Sequence, residues 1–194
     1  MPRKGGGLHP VHIDPGVIGN HRRIRLSPQH RVVVRVKAGA ARRDVFVSAK
    51  HLAEEYGGTI RSAEGIRKVE FFNLFLDRHE VILAEGAQVE SLYPGPETKK
   101  VPGLDLAPPI RAQHQRLLGA RTASEIERAY GPPAREVMNR RELRQAIATG
   151  RLCLRPPSSP DVSGYPRATG SQTGLGRINS IVIPGSRGAV VRPH

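Results

Sequence analysis

Val32-Val33-Val34-Arg35-Val36 is the clearest alternating apolar segment of the chain, and it reads as a strand. Just ahead of it, Ser27-Pro28-Gln29-His30-Arg31 reads as a tight turn. Pro28 fixes φ there, and the Ser27 hydroxyl can cap the turn by accepting from a backbone N–H. Strand side chains alternate, so His30 falls on the face of Val32, Val34 and Val36. An imidazole then stands at the mouth of an apolar face, with a hydroxyl three residues before it. Taken alone, that arrangement describes a core histidine at a strand start.

A second region adds to this. Residues 69–93 carry β-branched and aromatic runs, broken by Asp77-Arg78-His79 and punctuated by Gly86. If the chain stays extended through the break, Asp77 and His79 share a face. A carboxylate beside an imidazole fixes its tautomer and raises its pKa, as proton transfer requires. Strands are predicted near 10–13, 22–26, 30–37, 43–48, 66–76, 79–84 and 87–92. A short helix runs from Ala49 to Tyr56, entered at Ser48 and ended by Gly57-Gly58. Residues 94–110 are proline-rich and read as an extended connector. Helices follow near 112–118, 123–130 and 139–148; Thr122 or Ser124 caps the second, and Gly131-Pro132-Pro133 stops it. The organisation is therefore a basic leader (1–8), a mainly antiparallel β-domain (9–110), a helical extension (111–150) and a tail (151–194). The tail is rich in Pro, Gly, Ser and Arg and is expected to be disordered. Residues 179–183 have strand-forming character, but the sequence shows no partner for them.

These residues resemble a known family. "SPQHR" before a Val-rich strand, then "FLDRHEVILAEGAQVES", is similar to the bacterial Hint (hedgehog/intein) domain. "HPVHIDPGVIG" and "VFVSAKHLA" fit the same pattern, and "YGPPAREVMNRREL" resembles the helical extension that often follows it. The resemblance covers residues 9–145. It implies an autoprocessing β-fold in which an N-terminal Cys, occasionally Ser, attacks its own preceding peptide carbonyl. The resulting ester or thioester is then resolved by water or a second nucleophile. By this resemblance Ser27 and His30 match the element that activates the scissile peptide. His79 matches a histidine of the late strand pair that assists the resolving step, with Asp77 orienting it.

The chain also departs from the family. No Cys or Ser precedes Ser27, the one cysteine, Cys153, lies far beyond the late strands, and no His-Asn pair ends a splicing domain. The expectation is an N-terminally truncated copy, silent alone, whose missing segment is supplied upstream or in trans. A thiolate is the nucleophile this chemistry needs.

Composition narrows the remaining classes. The 194 residues suffice for one domain with tails, and with 4% aromatics and no Trp the core must rely on Val, Leu and Ile. A single Cys excludes an internal disulfide. There is no signal peptide and no apolar run of membrane length, so the chain as encoded is expected to be cytoplasmic and without membrane contact. A net charge of +14 points to non-specific nucleic-acid contact as the alternative function. No cofactor, metal or small-molecule ligand is expected. Gly170 to Arg177 is glycine-rich but is followed rather than preceded by a strand-forming run, so it reads as linker. His9, His12 and Asp14 lie within six residues, yet an extended segment splays the rings and no second pair completes four ligands. Glu80, Glu85 and Glu90 read as solvated strand-edge charges rather than a glycosidase pair.

Overall fold

The computed structural model describes residues 9–65, 71, 73–94, 117, 120, 122–154, 181–182 and 189–191. The leader, most of the connector, most of the helix expected near 112–118, residues 66–70 of an expected strand, the Gly170–Arg177 linker and most of the tail lie outside them.

The fold is mostly antiparallel β. A long hairpin anchors it: β3 (Arg31–Ala38) pairs in full register with β4 (Ala41–Ser48). The two residues between them are Gly39 and Ala40, and Gly39 takes φ +61°, which lets so short a turn follow the twist of the strands. A second hairpin, β7 (Val81–Ala84) and β8 (Ala87–Glu90), turns through Glu85 and Gly86 at φ 51° and 89°. Only glycine fits at 86, because a Cβ there would meet the His21 ring at 2.8 Å. β8 joins β3 through Val32 and Val89, which brings the end of β8 beside the start of β3.

A smaller sheet has the order β2 (Ile24–Leu26), β1 (Val11–Ile13), β5 (Ile60–Ser62). Helix α1 (Ala49–Tyr56) continues directly from β4. β6 (Asn73–Phe75) precedes the second hairpin, and helices α2 (Ala123–Tyr130) and α3 (Arg140–Ala148) follow it. Thr122 caps α2 and Asn139 caps α3, each in a reciprocal bond with a glutamate three residues on, Glu125 and Glu142.

Four strands depart from the sequence reading. β5 was not expected; it pairs with β1. β9 (Leu152–Cys153) pairs with the far end of β3, inside the tail expected to be disordered. β10 (Ile181–Val182) does find a partner, in β7, and β11 (Ala189–Val191) pairs with β6.

The main core joins Val32, Val34, Val45, Val47 and Val89 of the larger sheet to Val11, Ile13 and Ile60 of the smaller one, and it takes in Met138, Leu143 and Ala146 from the helical region. Phe75, Leu117, Ala120, Ile126 and Tyr130 form a second cluster. Among the described residues no helix is long and apolar enough to cross a membrane.

Candidate functional site

The turn before β3 is closed by its main chain: the His30 N–H donates to the Ser27 carbonyl at 3.0 Å, with Pro28 in the second position. The same turn serves α1. Ala49 N donates to the His30 carbonyl at 2.8 Å and Lys50 N to the Pro28 carbonyl at 3.0 Å. These carbonyls satisfy amides that a side-chain cap would otherwise meet, and Ser48 makes no such cap bond. His30 is thereby held from both sides.

Glu90 reaches the start of β3 from β8. Its Oε1 accepts from Arg31 N at 2.8 Å, its Oε2 accepts from the Arg31 guanidinium at 2.9 Å, and His79 Nε2 lies 3.4 Å from Oε2. Burial pushes the Glu90 carboxyl up, but the neighbouring His79, Arg31 and His30 outweigh it and hold the carboxyl below its usual range. Glu90 is therefore an ionised group inside the fold.

The His30 ring titrates below the ordinary histidine range. Burial is the main cause; Glu90 opposes it, while Arg31 and His79 add to it, and a ring bond to the Glu90 backbone raises it. His30 Nε2 is shielded from solvent and has no hydrogen-bond partner among the described residues. A neutral imidazole with an open nitrogen can take a proton or give one.

His79 is turned fully inward, with none of its side chain exposed. Its ring lies between Phe46, at 5.2 Å between centroids, and Tyr93, at 4.9 Å. Ala134 N donates to Nδ1 at 3.2 Å, which leaves the proton on Nε2, facing Glu90. The chain bends at Asp77 and Arg78, so the extended geometry that would align Asp77 with His79 is not adopted. Asp77 sits exposed on that bend, and the carboxylate facing the ring is Glu90.

The structure thus gathers His30 and His79 around Glu90, places Ser27 at the turn that carries His30, and leaves Asp77 at the surface. Glu90 corrects the reading of a solvated strand-edge charge: it is 7% exposed. The signal for it was cross-strand pairing, since Val32 opposite Val89 puts Arg31 opposite Glu90. Cys153 is exposed and opposite Arg35, five residues along β3 from His30, or roughly 17 Å at the strand rise. Among the described residues no group of three His, Cys, Asp or Glu could hold a metal ion.

Residues 2–96 match the family model described as Hint domain. That stretch of the chain is similar to the Hint domain. Neither a curated protein nor a solved structure matches the chain. Ser27, His30, Asp77, His79 and Glu90 all lie within the Hint match, whereas Ala134, the donor that fixes the His79 tautomer, lies outside it.

Proposed function

We propose that this Hint-like domain is a self-processing module whose proton-transfer centre is His30, with Glu90 balancing charge and His79 serving the later step. The observation that carries this reading is that the desolvated His30 ring lies, with His79, close to the buried carboxylate of Glu90. In the reaction a thiol or hydroxyl attacks the carbonyl of the peptide bond ahead of it. The C–N bond breaks, a thioester or ester forms, and the amide nitrogen leaves as an amine. That nitrogen is a poor leaving group until it is protonated, so His30, neutral at rest, takes the proton of the attacking thiol or hydroxyl and delivers it to the nitrogen. Glu90 stabilises the imidazolium that exists between the two transfers. Water or a second nucleophile then cleaves the ester, with His79 as the assisting base, and Glu90 takes the orienting role expected of Asp77.

The nucleophile comes from a Cys-bearing segment placed upstream or supplied in trans. Cys153 is too far from His30 to act. The 194-residue chain incubated with excess thiol therefore stays intact by mass spectrometry. Fusing a Cys-bearing segment ahead of the domain restores cleavage at one defined bond. In that fusion His30→Ala lowers the rate by ~10²–10⁴-fold. Ser27→Ala has a smaller effect, at most that of one hydrogen bond, ~0.5–1.5 kcal/mol, because main-chain atoms close the turn. A His30→Ala fusion that cleaves as fast as its parent makes His30 a core histidine and ends this assignment.

A further inference from the structure

We propose that the outer face of the β2-β1-β5 sheet binds the phosphate backbone of duplex nucleic acid through Arg25, His12 and Arg61. The inner side of this sheet is apolar and buried: Val11, Ile13, Ile24, Leu26 and Ile60. The opposite side carries a cross-strand row in which His12 pairs with Arg25 on one flank and Arg61 on the other. Two strand spacings make the row roughly 9.6 Å long. Phosphates recur every ~3.4 Å along the axis of one DNA strand, so the row can meet more than one.

Charge on this face is one-sided. Asp14 is the carboxylate beside it, and both of its oxygens are taken: Oδ1 accepts from Arg23 Nε at 2.9 Å and Oδ2 from Arg61 Nη1 at 2.8 Å. Three guanidiniums against one carboxylate leave two positive charges over. Arg25 is exposed and has no carboxylate partner among the described residues.

His12 lies in the middle. Its Nε2 is shielded from solvent and has no hydrogen-bond partner among the described residues. Burial lowers its pKa, Arg25, Arg61 and Arg23 lower it further, and Asp14 opposes them. The same guanidiniums repel a metal ion, which leaves the His9, His12, Asp14 spacing without a cation role. An oxyanion in the row accepts from the exposed guanidiniums of Arg25 and Arg61 and offsets the surrounding charge, which favours the protonated His12 ring between them.

The row holds no Phe, Tyr or Trp on which an unpaired base could stack. Contact is therefore with the backbone, independent of sequence and suited to a duplex. The chain's net charge of +14 favours approach to such a polyanion.

The test is fluorescence anisotropy of a labelled DNA duplex with the full chain, over a range of salt concentrations at pH 7.5 and pH 6. Removing one duplex phosphate contact lowers the log–log salt slope by ~0.9, which is about eightfold in affinity at 0.1 M salt. Arg25→Gln is expected to show both changes. Its side chain is exposed, so folding is little affected, and circular dichroism checks this. Wild-type binding strengthens toward pH 6, and His12→Gln removes that gain. By NMR the wild-type His12 ring titrates at higher pH with duplex present than without. Parental affinity and slope in Arg25→Gln overturn the proposal, because the contacts then lie elsewhere on the chain. Tighter binding of a single strand than of the duplex overturns it as well. If inorganic phosphate shifts the His12 titration and the duplex does not, the face takes free phosphate and the nucleic-acid assignment falls.

Discussion

Glu90 and His30 settle each other's charge state, and the consequence is a dependence of stability on acid. Both groups have folded pKa values below their ordinary ones. The unfolded chain then binds more protons than the folded one wherever pH lies below the ordinary value, so stability rises with pH there. For His30 the stability is complete above about pH 6.5 and declines as pH falls below it. For Glu90 it is complete above about pH 4.3 and declines as pH falls through the folded value. Urea midpoints are therefore expected to fall in two stages between pH 7.5 and pH 3.5. His12 and His51 are also lowered, mainly by burial, so they share the first stage. His30→Gln, which never charges, makes that stage shallower without abolishing it. An unchanged first stage in His30→Gln removes His30 as a contributor. Glu90→Gln deletes the acceptor charge facing Arg31 and His79. Breaking a buried ion pair costs ~3–5 kcal/mol when the remaining charge stays trapped. The loss here falls at or below the low end, because the Arg31 side chain is 29% exposed and can turn to solvent.

At the scale of elements, residues 131–138 act as a strap over the face that carries His79. Phe46 N donates to the Glu136 carbonyl at 2.8 Å, Met138 N to the Phe46 carbonyl at 2.9 Å, and Tyr93 Oη to the Gly131 carbonyl at 3.1 Å. Ala134 N then fixes the His79 ring. Two-bond ¹⁵N–¹H correlation spectra of the wild type should show the His79 proton on Nε2. In Ala134→Pro the donor is gone, at ~0.5–1.5 kcal/mol for one bond, and the spectrum should show a mixture of tautomers. A wild-type proton on Nδ1 would end the argument for a fixed ring. This strap also shows where sequence reading stops. β3, α1 and the start of α2 were legible because their causes are local: an alternating Val run, a Gly-Gly stop, a capping residue, Thr122 or Ser124, at the head of the helix. The burial of Glu90 was not, since it follows from pairing with Arg31, 59 positions away. β10 was seen as a strand without a partner for the same reason: its register with β7 is a long-range choice. Asp77 misled because a spacing of two implies a shared face only in extended chain, and the chain bends there.

For the whole molecule, the Hint match and the folded unit do not end at the same place. The match stops at residue 96, yet Met138, Leu143 and Ala146 lie in the same buried cluster as Val32, Val47 and Leu52. Burial of one Met or Leu side chain stabilises by ~1.5–3 kcal/mol, so Met138 and Leu143 together contribute roughly 3–6 kcal/mol. A domain of this size has a total stability of only ~5–15 kcal/mol. Removing residues 131–154 also strips the strap from Phe46 and the β9 ladder from Arg35 and Val36. What remains should have no stability to spare. The shortened chain is expected to lose its cooperative urea transition, followed by tyrosine fluorescence, and the amide of His79 should exchange as in unfolded chain. Leu143→Ala in the full chain is the milder test. It should keep a single transition and lose ~2–5 kcal/mol. If the shortened chain unfolds cooperatively within about 1 kcal/mol of the full one, the 131–154 region is an independent appendage, and the His79 site closes without it.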